Sequence, residues 1–290
     1  MSMLILSIKI AGIRGANNNH VVLWNYITAF VLTMGMNIVG GRLEIFSELT
    51  ALNLSEVFVE KTLPVTAFLV LATGFVSGIS FPVNLIEIKD STVTNGSAIT
   101  AFFKQMSTIG GLLIAIVFMN ERPSAMQWAG VALITVAIVL MVMDFKSLKI
   151  EKGLLLALIF ISGSLMETGN KVISKYTVDG YSTLYLSMIF LVAMIFIIIY
   201  LVFKEGKALM HFSVKDIFYG AVLGLSNVGN NFFKIKAMNI LPATVVIPIV
   251  AAGSLIVTNL VGIIFFKERA NKLYGLAVAI AVVSIFLLNM

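Results

Sequence analysis

Lys104 stands about ten residues into an otherwise apolar run, in the string AITAFFKQMSTIGG. A lysine at the centre of a hydrocarbon layer costs roughly 2.5–3.5 kcal/mol, so it must face a partner or a water-filled space. Two roles fit a permanent cation there: pairing with a carboxylate or backbone carbonyls, or holding an anionic, carboxylate-bearing small molecule. Glu167 and Lys171, in SLMETGNKVISKY, are four residues apart and share one helix face. Burial and a nearby lysine pull a carboxylate's protonation in opposite directions. Glu167 is therefore a candidate to couple proton movement to a cargo, with a fixed ion pair to Lys171 or Lys104 as the plainer reading. For Lys171, nearer the helix end, the plain reading is snorkelling to the interface.

Amides supply the remaining candidates. GLSNVGNNFF carries Asn227, Asn230 and Asn231, and its counterpart GISFPVN carries Ser80 and Asn84. Interhelical hydrogen bonding and cavity lining are both open to them. With Asn170 beside Lys171, the candidate substrate-binding set is Lys104, Glu167, Asn170, Lys171, Asn227, Asn230, Asn231, Ser80 and Asn84. Enzyme chemistry is poorly provided for. Cysteine is absent, His20 and His211 sit in loop-like stretches, and neither a His-Glu-x-x-His nor a Gly-x-Ser-x-Gly pattern occurs. No Walker motif is present, so the reading is of a non-enzyme with no cofactor, metal or nucleotide drive.

These residues need a scaffold that crosses a membrane. Hydrophobic residues make up 59% of the 290 positions and charged residues 12%, with a mean hydropathy of +1.03. A soluble domain carries about 25% charged residues, so too little charge is available here to cover a water-facing surface. Crossing the hydrocarbon takes about 20 helical residues. Nine stretches qualify or nearly so: Leu23–Gly40, Val65–Ile88, Thr94–Met119, Met126–Met143, Gly153–Ile173, Ser182–Phe203, Asp216–Phe233, Leu241–Phe266 and Leu273–Asn289. Met1–Ile13 is apolar but too short to span unaided. Leu43–Leu63 mixes apolar residues with Glu44, Glu48, Glu56 and Glu60, and reads as an interfacial helix plus loop. The net charge of +6 is ascribed to loop cations that set orientation, not to a nucleic-acid partner.

The chain repeats itself. Gly74, Gly78, Ser80 and Asn84 recur 146 positions later as Gly220, Gly224, Ser226 and Asn230. After one inserted residue, Ile88-Lys89 falls on Ile235-Lys236 and Glu121-Arg122 on Glu268-Arg269, and further on Gly130 meets Gly275. Lys9 answers to Lys171, which has eighteen helix residues before it against eight for Lys9, so the first helix is expected to be truncated. Five helices per copy is an odd number, so the second copy enters the membrane from the opposite side. The two Glu-Arg hinges are then expected on opposite faces, as helix-end anchors. This predicts an all-α integral membrane protein of two inverted-topology repeats of five transmembrane helices, residues 1–145 and 150–290.

The paired F-x-x-E-R hinges, each followed by a Gly-centred closing helix, carry a resemblance. So do SLMETGNKVISKY and GLSNVGNNFFKIKAMNILPATVVIPI. The chain resembles the drug/metabolite transporter superfamily, in particular its ten-helix EamA-type members. That resemblance implies a secondary transporter for a small polar metabolite, working by alternating access. Its cargo is left open among sugars, amino acids, nucleotide precursors, drugs and phosphorylated metabolites. The implied setting is a multi-pass protein of the bacterial plasma (inner) membrane. Its partners are the lipid bilayer and a small-molecule substrate, and it functions as a monomer with a dimer as the alternative. A channel or lipid-handling protein is the rival reading, and an intramembrane enzyme a more distant one.

Overall fold

The computed structural model describes residues 15–95, 97–142, 151–206, 212–266 and 274–288. Met1–Ile13, His211 and the Glu268-Arg269 hinge lie outside the described residues. Among the described residues there is no strand, and nine α-helices follow one another: α1 (Asn18–Val39), α2 (Leu63–Thr94), α3 (Ser97–Phe118), α4 (Ala125–Val142), α5 (Gly153–Tyr176), α6 (Ser182–Glu205), α7 (Val214–Ile240), α8 (Ala243–Phe266) and α9 (Tyr274–Leu288). Four of them, α1, α2, α5 and α6, hold stretches of 22 to 29 residues long and apolar enough to cross a membrane. Shorter apolar stretches occupy α3, α4, α8 and α9. The chain is an all-helical, multi-pass integral membrane protein.

Helices outrun their apolar stretches where polar residues can serve the backbone. α2 continues past Ile88 through Lys89 and Asp90 to Thr94. Its end is secured by Asn95, whose Oδ1 accepts from the backbone N–H of Glu151 and Lys152, each at 2.9 Å. Leu43–Leu63, read as a helix plus loop, has its helical part in 3₁₀ form. It holds two short 3₁₀ helices, Arg42–Ala51 and Leu54–Glu56. The hydroxyls of Ser47 and Thr50 donate to the carbonyls three residues back, of Glu44 and Ser47. These side-chain bonds compete with the α-helical ladder. His20 lies not in a loop but in the first turn of α1, where it is buried.

The helices form two compact units. The first comprises the chain up to Pro82 together with Gly169–Asn239, and the second Val83–Thr168 with the chain from Ile240 onward. Each therefore takes helices from both halves of the sequence. In the first unit α1 packs along α6, where Asn37 Nδ2 donates to Ser187 Oγ at 2.6 Å and Thr183 Oγ1 to Asn37 Oδ1 at 2.7 Å. α2 meets α6 through Gly74 and Gly78, and α7 meets α1 through Gly220 and Gly224. Glycine is required at these crossings. A Cβ at Gly78 would come within 2.6 Å of Val192 Cβ and 3.0 Å of the Ile189 carbonyl. One at Gly224 would come within 2.9 Å of Thr28 Cβ and 2.7 Å of the Asn25 carbonyl.

In the second unit α4 and α9 lie against each other. Ser284 Oγ donates to the Gly130 carbonyl at 2.7 Å, and Ile134, Ala137, Ala252 and Ala281 close a buried cluster. α3 meets α5 through Ser107, Gly110, Gly111, Gly163 and Ser164, with Ser164 Oγ donating to the Ser107 carbonyl at 3.0 Å. Small residues are what let membrane helices approach this closely.

Contacts between helix ends obey a parity. Asn17 meets Asp216 with six helices between them, Thr66 meets Val178 with four, Asn95 meets Lys152 with two, and Glu121 meets Ala243 with four. An even count is what a chain crossing one layer at every helix must give.

Candidate functional site

Lys104 Nζ donates to Asn84 Oδ1 at 2.8 Å, joining α3 to α2 within the second unit. The orientation of the Asn84 amide follows from its other contacts. Its Nδ2 lies 2.9 Å from the Ile159 carbonyl, which only accepts, and 2.8 Å from Ser162 Oγ. Ser162 Oγ spends its own proton on the Leu158 carbonyl at 2.7 Å, so it too accepts from Asn84. The amide oxygen is thereby aimed at Lys104. Asn84 is buried and Lys104 half-buried. A cation is thus fixed inside an apolar helix by an amide that is itself anchored on α5.

The rest of the sequence-derived set is distributed as follows. Glu167, half-buried in the second unit, sits on α5 with its Cβ against Gly111 of α3. One turn on, in the part of α5 that belongs to the first unit, Asn170 and Lys171 are both buried. At 5% exposure Lys171 does not snorkel to an interface. Ser80 turns inward on its own helix, donating to the Val76 carbonyl at 2.8 Å, and Ser226 does the same to Val222 at 2.9 Å. The repeated serines share one local geometry.

The asparagines of α7 separate. Asn230 is exposed, whereas Asn227 and Asn231 are buried and linked. Asn231 Nδ2 donates to both the backbone carbonyl and Oδ1 of Asn227, each at 3.0 Å. Asn227 Nδ2 in turn faces Asn25 Oδ1 of α1 at 3.3 Å. Sequence reading missed Asn25. A lone asparagine in an apolar helix carries no signal until its partner, 202 positions away, is known.

Two further polar contacts close helix ends. Glu121 Oε1 accepts from the backbone N–H of Ala243 at 3.3 Å, placing a carboxylate at the N-terminus of α8, where it satisfies an orphan donor and the helix dipole. This gives the repeated hinge its anchoring role on the described side. Asp216 accepts backbone N–H groups of Asn17 and Ser213 and lies 3.2 Å from His20 Nδ1. Phe212 packs edge-on against His20 and Trp24. This clamp ties the start of α1 to the start of α7. Among the described residues no group of three or more His, Asp or Glu side chains is placed to hold a metal ion.

Against known families, residues 152–290 match the model of the EamA-like transporter family. These 139 of the 290 residues are similar to that family. The EamA type within the drug/metabolite transporter superfamily is thus the one to which the hinges and α7 motif pointed. No curated protein matches the chain significantly. EamA-like proteins are membrane transporters and not enzymes, and the helical, apolar architecture accords with that class.

Proposed function

We propose that this EamA-type chain is a secondary carrier. It moves a small polar metabolite bearing an anionic group, by alternating access, across a bacterial inner membrane. The observation that carries the reading is Lys104, a cation embedded in a membrane helix and aimed by Asn84. A lysine inside a membrane helix must face polar partners or a water-filled space, and a cation held in place there suits the anionic group of a cargo. Glu167, on the neighbouring face of α5, is the group through which proton movement is coupled to that cargo.

Two features support the inverted repeat that alternating access requires. The glycine crossings occur in matched pairs, and the end-to-end contacts all span even numbers of helices. With five helices per copy, matching ends then fall on opposite faces. Each copy contributes one half of the moving machinery, and the monomer is the functional unit.

The test is a thermal-unfolding screen of anionic metabolites on the purified protein and on Lys104→Ala, followed by counterflow in proteoliposomes. A true ligand at one hundred times its Kd raises stability by about 2.7 kcal/mol. The expected result is stabilisation of the parent, loss of that stabilisation in the variant, and counterflow of the same compound. Equal stabilisation of both proteins would remove Lys104 from the site. Flux far above roughly 10³ per second, the upper end of ordinary turnover, would mark a channel instead.

A further inference from the structure

The seam between α1 and α7 has a twin in the same molecule, where α2 meets α6 and Ser77 Oγ pairs with Tyr185 Oη at 3.0 Å. Gly220 and Gly224 lie 146 positions after Gly74 and Gly78, and their helices meet matching residues. A Cβ at Gly74 would strike Met188 Cβ and one at Gly220 would strike Trp24 Cβ; for Gly78 the neighbours are Ile189 and Val192, for Gly224 Asn25 and Thr28. The shift is constant: 188 − 24, 189 − 25 and 192 − 28 all equal 164. Asn25 therefore occupies the place of Ile189. By the 146 shift Asn227 occupies the place of Phe81, and Asn231 that of Leu85. One interface has been built twice, with Ile189 and Phe81 in one copy where the other has Asn25 and Asn227.

Packing alone does not call for the amides, and they leave a group unserved. Asn231 Nδ2 is fixed as a donor by the Asn227 backbone carbonyl, so Asn227 presents oxygen to it and nitrogen to Asn25. Asn25 must then turn its oxygen to Asn227. Asn25 is 0% exposed, and among the described residues its Nδ2 has no acceptor. Tyr26 Oη, the next residue on α1, is likewise buried without a partner. A buried donor without an acceptor calls for an explanation.

We infer that the Asn25–Asn227–Asn231 ladder is a recognition element whose Asn25 amide donates to a carboxylate or carbonyl oxygen of the transported molecule. The inference rests on the carrier reading. Asn25 is enclosed in this conformation, and its contact with cargo forms when alternating access opens the α1–α7 seam.

The test transplants a residue from the twin seam. Asn25→Ile copies the residue found at position 189, with Asn25→Ala as the second variant should the larger side chain prevent folding. The probe is a set of two- to six-carbon mono- and dicarboxylates, including hydroxy and amino derivatives. The readouts are the ligand-induced rise in unfolding midpoint and counterflow in proteoliposomes. The expected result is an unliganded midpoint close to that of the parent for Asn25→Ile, since one unserved buried donor, Asn25 Nδ2, is exchanged for another, Asn227 Nδ2. Affinity for the stabilising carboxylate should be reduced at least about tenfold, the loss of roughly one hydrogen bond to a charged acceptor. Parental affinity and flux in the folded variant would overturn the ladder's role and leave the carrier reading standing. Counterflow by the parent of a compound with no carboxylate or carbonyl oxygen, and of none of the probes, would also overturn it. Absence of any counterflow by the parent would instead remove the carrier reading on which the inference rests.

Discussion

Buried polar side chains in this molecule fall into those that serve the helices and those that do not. Ser80 and Ser162 return their hydroxyl protons to carbonyls four residues back, and Asn95 clips a helix end. Lys104 was legible in the sequence because a charge inside an apolar run is expensive wherever it lies. Asn84 was legible as a candidate but not as the residue that orients Lys104, since that depends on which carbonyl of α5 faces it. Asn25 was not legible at all. At this scale the proposed coupling role falls to Glu167. Glu167→Gln keeps the shape and removes the titratable proton, so uptake driven by a pH gradient should be abolished while the ligand-induced rise in unfolding midpoint persists. Undiminished pH-driven uptake by that variant would exclude Glu167 from coupling.

Helix positions were read closely where apolar and polar stretches alternate abruptly, as at α4, α6 and α9, each within a few residues of expectation. Misreadings cluster at polar ends. α2 and α7 run on through lysines, because a helix leaving the membrane loses nothing by continuing into water with its backbone already bonded. The acidic stretch after α1 has too little continuous apolar face to hold an α-helix and settles into 3₁₀ turns. The glycine crossings give the element-scale prediction. Gly78→Ala and Gly224→Ala each force a Cβ against the neighbouring helix, and each should destabilise by about 1–3 kcal/mol. Gly35, on α1 with nothing within 4 Å, is the control. Its alanine variant should be neutral or stabilised by up to about 1 kcal/mol. Thermal unfolding in detergent compares the three.

For the whole molecule, the proposed duplication rests on spaced glycines and the paired hinges in the sequence, and the glycine pairs Gly74/Gly78 and Gly220/Gly224 each lie at a helix crossing. The grouping of helices could not be read there. Each compact unit draws on both halves of the chain, so contiguity in sequence misleads about contiguity in space. What the proposed repeat dictates is sidedness: on that reading the loops following α1 and α6 are counterparts in the two copies, with five crossings between them. The chain has no cysteine, so single cysteines can be read without background. Glu48 and Lys204 are exposed positions at those two ends. Labelling of Glu48→Cys and Lys204→Cys with a membrane-impermeant maleimide, in sealed vesicles of known orientation, tests the inverted arrangement directly. The account predicts reaction from opposite faces of the membrane. Reaction of both from the same face would contradict the inverted repeat and the alternating-access mechanism built on it.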